Sequence, residues 1–356
     1  MASKKSGCIM VLRCSIIILF LSVLLIGGVT RESSGASEEE RVSRLIEGAR
    51  AEGKMVLYTT QAITDSSLMV KRYEEKYPFL KVELYRAPSD TLINKISTEA
   101  KARKYIPDVV EIPGFTALLL KKEHLSQSYI SPESQAYQEG FQDPEGNWTS
   151  TYVLLFGMAY NTKLLSRRDM PDTYEGFLQP RWKGKKIGFF DDKETEWFAN
   201  MLKIMGEEKG MDFFRKLVAQ ELSIRRGSSL VTDLMIAGEF PVGTSFPHIV
   251  EARKKKGAKI DWVGVAPVIA KFGAIGLAAH ASHPNPAKLY IDFCLSREGQ
   301  AMIGNSGRLP ARADVDADIL RVLKGVKVYP SDISLADKFA VYRKQFAELL
   351  RGDRNR

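Results

Sequence analysis

The stretch that decides the fold is KMVLYTTQAITDSSLMVKRYEEKYPFLKVELYRA, Lys54 to Ala87, in which two apolar runs flank an amphipathic segment. The runs KMVLYTT and KVELYRA have the β-branched and aromatic content of buried strands, and the segment between them has helical spacing and stops at Pro78. Thr64, Asp65 and Ser66 are candidate N-caps for that helix. A second helix after a cap at Ser89 and a third strand, DVVEI, follow. This order predicts a mainly parallel sheet covered by helices on both faces.

The same alternation resumes after a polar stretch that runs from Lys121 to Thr151. The strand YVLLFGMAYNT opens a second series, which continues through KKIGFF, ELSIRR, PVGTSF, KIDWVGVAP and GAIGLAAH, with helices between several of these strands. One long amphipathic helix is predicted from Pro286 to about Ile303. The pattern indicates two α/β lobes with a cleft between them.

The N-terminus has the features of a secretory signal peptide. Basic residues precede the apolar run CSIIILFLSVLLIGGVT, and small residues near Ala36 suit a signal peptidase. We predict cleavage after Ala36 and a periplasmic location. An uncleaved anchor stays open as the alternative, because the run is near the lower limit of ~17 residues needed to span a bilayer.

The composition excludes some partners. Removal of residues 1–36 lowers the formal charge from +9 to +6. The basic residues are dispersed, without interleaved stacking aromatics, so we predict no nucleic-acid partner. Only Cys294 remains of the three cysteines, which rules out an intramolecular disulfide. We expect a monomer stabilised by its core, with no cofactor and no metal.

Short polar, charged or glycine residues follow six predicted strands. Ligands of open α/β sheets bind at the carboxyl ends of strands, where helix N-termini converge. Such ends also meet water and cap helices, so each of them has a structural explanation as well. The predicted ligand-binding residues are Thr60, Gln61, Arg86, Glu111, Asp191, Arg226, Gly227, Ser228, Ser229, Thr244, Ser245 and Phe246.

Several motifs make the chain resemble a known family. They include EGKMVLYTTQ, PDVVEIPG, GMAYNTKLL, AGEFPVG and, as the most specific, HPNPAKLYIDFCLSREGQAMIGNSGRLPAR. From about Glu52 to Asp314 the chain is similar to the periplasmic solute-binding proteins of ABC transporters, in the branch of ferric-ion-binding proteins. The resemblance implies a two-lobed periplasmic binding protein fold of type II, with parallel-rich sheets, hinge strands, an interlobe cleft and delivery of the ligand to an inner-membrane permease.

The iron-binding members of that family hold the metal with two adjacent tyrosines after the strand that matches FPVG. The matching positions here fall within TSFPH and contain no tyrosine. Fe(III) prefers hard anionic oxygens, which Phe246 lacks and Ser245 supplies poorly. His248 could be a metal ligand or could start a helix. We therefore predict a small anionic or zwitterionic organic solute, or an oxyanion, as the ligand, with Thr244 and Ser245 as hydrogen-bonding groups and Phe246 as an apolar wall.

Three alternatives remain open from the sequence. The first is a ferric-ion-binding protein with non-standard ligands, the second an exported enzyme that uses carboxylates such as Asp191 and Glu111 as acid and base. The third is a membrane-anchored sensor that keeps residues 1–36. The predicted boundaries are a signal peptide at 1–36, a first lobe at 37–151 and 264–314, a second lobe at 152–263, and a C-terminal tail at 315–356 that is not assigned to a lobe.

Overall fold

The computed structural model describes residues 29–190 and 194–354. The chain divides into two compact units at Leu45 and Ile46. The described part of the first unit is helical and belongs to α1 (Val29–Glu52). The predicted cleavage position after Ala36 falls within this helix, and the apolar run before residue 29 lies outside the described residues. Within the described ranges, none of the helices has the length and apolar character needed to cross a membrane.

The second unit contains two sheets. The helices are α2 (Ile63–Lys76), α3 (Ser89–Lys101), α4 (Gly114–Lys122), α5 (Thr195–Met205), α6 (Glu207–Val218), α7 (Ser228–Ala237), α8 (Pro247–Lys254), α9 (Pro284–Leu295), α10 (Arg297–Asn305) and α11 (Phe339–Arg354). The strands are β1 (Lys54–Thr59), β2 (Lys81–Arg86), β3 (Val109–Pro113), β4 (Ser126–Gln127), β5 (Thr149–Leu155), β6 (Gly157–Asn161), β7 (Ile187–Phe190), β8 (Ser223–Arg225), β9 (Val242–Ser245), β10 (Ile260–Val263), β11 (Val268–Ala278), β12 (Leu309–Pro310) and β13 (Val328–Pro330).

The eight-stranded sheet has the order β12-β5-β11-β3-β1-β2, with β4 and β13 also paired to β11. Strands β2, β1 and β3 are parallel, as the opening stretch predicts, and Leu57 of β1 lies between Leu84 and Val109 in the register. All but the first residue of β1 are buried, because helices cover both faces of a parallel sheet. Strand β11 runs antiparallel to both β3 and β5.

The five-stranded sheet, β10-β6-β9-β7-β8, repeats this arrangement. Strands β8, β7 and β9 are parallel, and β6 runs antiparallel to both β9 and β10. The order β8-β7-β9-β6-β10 thus corresponds to β2-β1-β3-β11-β5 of the other sheet. We call the elements packed on the eight-stranded sheet the first lobe and those packed on the five-stranded sheet the second lobe.

The chain passes between the lobes at two strand junctions. Phe156 alone separates β5 of the first lobe from β6 of the second, and residues 264–267 join β10 to β11. These junctions are the hinge strands of a two-lobed fold. The lobe boundaries at 151/152 and 263/264 stay predictions, although β5 lies in the first sheet as far as Leu155.

Some sequence predictions about helices are wrong. The helix expected from Pro286 to Ile303 is two helices, because Ser296 is extended and its hydroxyl accepts a hydrogen bond from the Gly299 N–H (3.2 Å), which starts α10. The expected side-chain caps are also absent. Residues Thr64 to Ser66 lie inside α2, and Ser89 is the first residue of α3 rather than its cap.

Candidate functional site

The carboxyl end of β1 lies beside a buried carboxylate in the middle of β3. Glu111 is buried, and its Oε1 and Oε2 accept hydrogen bonds from the hydroxyls of Thr151 (2.8 Å) and Thr59 (3.2 Å). Burial raises the pKa of Glu111, and the two hydroxyls only partly offset that effect. The predicted site residue Thr60 is held here by its N–H, which donates to the Glu111 carbonyl (3.0 Å).

Gln61 follows directly and is 3 % exposed. Its N–H donates to the Thr59 hydroxyl (3.0 Å), and its Oε1 accepts from the Ser66 hydroxyl (3.3 Å). Its Nε2 is buried and has no hydrogen-bond partner in the described part of the chain. A buried amide donor without a partner is costly, so a ligand that accepts from it would bind favourably. The exposed Arg86 donates from Nε to the Gln61 carbonyl (3.3 Å).

An arginine that the strand-end prediction missed lies beside this group. The Arg308 Nε donates to the Asp65 carboxylate at 2.8 Å, and both side chains are mostly buried. The Arg308 guanidinium also stacks over the Tyr152 ring, 5.1 Å from its centre. Tyr152 in turn lies against Gly273 of β11, where a side chain would collide with the ring.

In the second lobe, the end of β9 and the turn into α8 are mostly buried. The Thr244 hydroxyl accepts from the Phe190 N–H (3.2 Å), and the Ser245 hydroxyl bonds to the Thr232 hydroxyl (2.7 Å). These bonds tie β9 to β7 and α7, so both hydroxyls already have partners within the second lobe. Their role toward a ligand stays a prediction.

The aromatic side of the same turn faces the first lobe. The Phe246 ring is 8 % exposed, stacks on the His248 ring at 5.7 Å, and has the Lys271 ammonium of β11 5.4 Å from its centre. Burial, and then the positive charge of Arg308, lower the pKa of His248 to about 4, against the opposing charge of Asp65. His248 therefore stays neutral at neutral pH.

The two lobes meet at His248. This side chain lines a small cavity with Pro247 of α8 and with residues of the first lobe and the C-terminal segment, namely Val153, Leu155, Leu309 and Ile319. Ile319 also lines an open cavity of about 780 Å³, but none of the described residues that the sequence predicts as ligand-binding lines that cavity.

Helix N-termini supply further hydrogen-bond donors. Helices α2, α3, α4, α5, α7 and α8 begin at strand ends, and none has a side-chain cap. In α7 the cap position is Gly227, with φ of +87°, and Ser228 and Ser229 are helical residues rather than caps. First-turn N–H groups lack partners within their own helix, so an anion can accept from them. Arg226 and Ser229 are exposed at this end, and Ser228 is half-buried.

Asp191 lies outside the described residues, so its predicted role stays untested. The next described residue, Glu194, is buried and pairs with Lys271 of β11 at 2.7 Å, which links the lobes. In the described part of the chain, no group of three or more His, Cys, Asp and Glu side chains is placed to hold a metal ion.

The expectation that ligands bind at the carboxyl ends of strands pointed to Gln61 and Glu111. It missed Asp65, Tyr152, Lys271 and Arg308. Arg308 belongs to the segment GNSGRLPAR, which is part of the most specific family motif, so the motif itself was the available signal. The sequence around Tyr152 and Lys271 does not indicate a role in the site for either residue, because both lie inside strands.

Comparisons with known proteins agree with this architecture. The periplasmic binding protein AfuA from Actinobacillus pleuropneumoniae, solved with fructose-6-phosphate, superposes with a TM-score of 0.69 at 23 % identity, covering 84 % of this chain and 99 % of that one. Iron-bound HitA from Pseudomonas aeruginosa gives 0.73 at 20 % identity, covering 82 % and 99 %. An uncharacterised protein of Haemophilus influenzae is 24 % identical over 271 residues, 73 % of this chain and 78 % of that protein.

The family match is the strongest of these findings. The family model described as bacterial extracellular solute-binding protein matches residues 106–328, which is more than half of the chain. The match includes β3, β11 and the Arg308 segment. The protein therefore belongs to the bacterial extracellular solute-binding proteins, which capture a small ligand for ABC transport.

Proposed function

We propose that this protein works in the periplasm and captures a small anionic or zwitterionic organic solute, or an oxyanion, for an inner-membrane permease. The observation that carries the proposal is Arg308, a mostly buried guanidinium of the first lobe whose charge also acts on His248 of the second lobe. Guanidinium groups bind carboxylates and phosphates through paired hydrogen bonds.

Three further features support an anion. The uncapped N-termini of α7 and α8 add partial positive charge on the side of the second lobe, and the unpartnered Gln61 Nε2 adds a donor from the first lobe. The pKa of Glu111 is raised by burial, which lessens the negative charge beside Arg308. An anion would thus meet donors from both lobes.

The relatives have ligands of both kinds. AfuA was solved with a sugar phosphate and HitA with iron. The turn of this chain has Phe246 and no tyrosine, so the organic ligand suits these residues better than iron.

A thermal-shift panel on the purified exported protein, refolded to remove carried ligand, tests the proposal. The panel contains inorganic phosphate, fructose 6-phosphate, carboxylates, amino acids and ferric citrate. A ligand at 100 times its Kd adds roughly 2.7 kcal/mol to the free energy of unfolding. We expect a shift with a phosphate or carboxylate ligand and none with iron alone.

The variant Arg308→Gln should bind that ligand at least tenfold more weakly, because a charge-assisted hydrogen bond is lost. Arg253→Gln is the matched control, since Arg253 pairs with Asp233 at the same Nε–O distance of 2.8 Å on the second lobe alone. A shift with iron only, or full binding by Arg308→Gln, would contradict the proposal.

A further inference from the structure

One face of α5 is bonded to elements of the first lobe. Glu196, Asn200 and Lys203 follow one another at helical spacing and share that face. The Asn200 Nδ2 donates to the Ser331 hydroxyl (3.0 Å), and its Oδ1 accepts from the Asp332 N–H (2.8 Å). Lys203 pairs closely with the Asp332 carboxylate. Ser331 and Asp332 directly follow β13, which is parallel to β11 in the eight-stranded sheet.

The start of α5 makes a second link to the first lobe. Glu194, at its N-terminal end, holds the Lys271 ammonium of β11 at 2.7 and 3.0 Å, and both side chains are mostly buried. Glu196 is also buried near Lys271, and burial raises its pKa. A helix of the second lobe is therefore fixed to the first lobe at both of its ends.

The C-terminal segment then crosses back to the second lobe. At the start of α11 the Phe339 ring packs edge-on against Phe115 of α4, in the first lobe (5.8 Å). Seven residues later on the same helix, the Phe346 ring stacks on Phe198 of α5 at 4.8 Å. Helix α11 thus contacts both lobes along one face, in addition to the two hinge junctions at Phe156 and residues 264–267.

We propose that the C-terminal segment Val328–Arg354 and the polar face of α5 form a third connection between the lobes, in which Asn200 is a positioning residue. This connection holds the lobes in the arrangement in which His248 meets the first lobe. Two strand junctions alone permit rotation, whereas a third attachment restricts it. The inference rests on the proposed capture of an anion by donors of both lobes, since a protein whose lobes are already restrained loses less freedom when it binds.

The arrangement of the lobes can be measured without any ligand. We compare small-angle scattering and hydrogen exchange of ligand-free wild type, Asn200→Ala and Asn161→Ala. Asn161 is the matched control, because it is equally buried and its amide bonds only within the second lobe, to the Met235 carbonyl (2.9 Å) and the Lys163 N–H (2.9 Å). Urea unfolding of each variant gives the loss of stability.

Asn200→Ala should increase the radius of gyration. It should also speed hydrogen exchange about tenfold at the backbone amides of residues 245, 246 and 248–250, which lie where the second lobe meets the first. Asn161→Ala should lose stability without either change. Ser331→Ala, a smaller alteration at the other end of the bond, should act like Asn200→Ala and serves if the latter does not fold. Equal scattering and exchange in all variants would overturn the third connection. A ligand panel without hits would count against the proposed function and leave this result unaffected.

Discussion

Neutral His248 at the lobe interface makes stability depend on pH in a defined window. Its pKa is lowered from 6.5 to about 4 by burial and by the charge of Arg308. Between those two values the unfolded chain binds more protons at this residue than the folded protein does, so the folded state loses stability as the pH falls. The contribution of neutral His248 to the free energy of unfolding is fully present above pH 6.5 and fully lost below about pH 4.

The lowering of the pKa sets the size of the effect. One pKa unit corresponds to 1.36 kcal/mol, so a fall from 6.5 to about 4 is worth roughly 3 kcal/mol of unfolding free energy. If the lobes open, the His248 imidazole reaches water and takes a proton at a higher pH than in the closed protein. We therefore expect the loss of closure to begin at higher pH than the loss of folded structure.

The assay is urea unfolding of wild type and His248→Gln at intervals from pH 7.5 to pH 4. The difference in unfolding free energy between the two proteins should change by about 3 kcal/mol over this range, with the wild type losing more. The unfolding free energy of the double variant His248→Gln, Arg308→Gln should contain no pH-dependent contribution from position 248. In Arg308→Gln alone the pH-dependent loss should shrink, because one cause of the lowered pKa is removed. Parallel curves for wild type and His248→Gln would refute a lowered pKa for this histidine.

Three other substitutions have expected outcomes. Glu111→Gln should stabilise the protein more at pH 8 than at pH 5, because burial raises the pKa of Glu111 and makes its ionisation costly. Urea unfolding at both pH values measures the two differences. A larger stabilisation at pH 5 would contradict the prediction. Gly188→Ala should cost about 1–3 kcal/mol, since its Cβ would lie 2.1 Å from the Phe240 ring, and an unchanged melting temperature would count against that packing. Phe346→Ala should cost about 3–5 kcal/mol through the lost stack on Phe198, whereas a loss under 1 kcal/mol would show that α11 is not anchored there.

The three parallel strands of the first lobe could be predicted because their apolar content is continuous and local. Strand β11 could not be predicted in full. The sequence indicated a strand only from Gly273, whereas β11 begins at Val268 and contains Lys271 in its middle. A lysine argues against a buried strand unless it has a partner, and the partner Glu194 lies 77 residues away in sequence.

The site was predictable in part for the same reason. Gln61 follows β1 and Glu111 lies near the end of the predicted strand DVVEI, so the local expectation included both, although Glu111 is the middle residue of β3. Arg308 reaches the site because the chain returns to the first sheet after crossing the second lobe, and it pairs with Asp65, 243 residues earlier. The cap predictions were wrong because serine near a helix start is an equally good first-turn residue, and only backbone angles separate the two positions.

The pairing of charges bears on the choice between an anion and iron. Among the described residues near the lobe interface, the Asp65 carboxylate is bonded to Arg308 at 2.8 Å and the Glu194 carboxylate to Lys271 at 2.7 Å. Fe(III) needs several anionic oxygens, and using these two would leave two buried cations without partners beside a trivalent ion. An anion needs no such rearrangement, because it can bond to the free edge of the Arg308 guanidinium or replace Asp65 there. Asp65→Asn should then strengthen binding of phosphate or carboxylate ligands, whereas an iron site built on Asp65 would lose affinity.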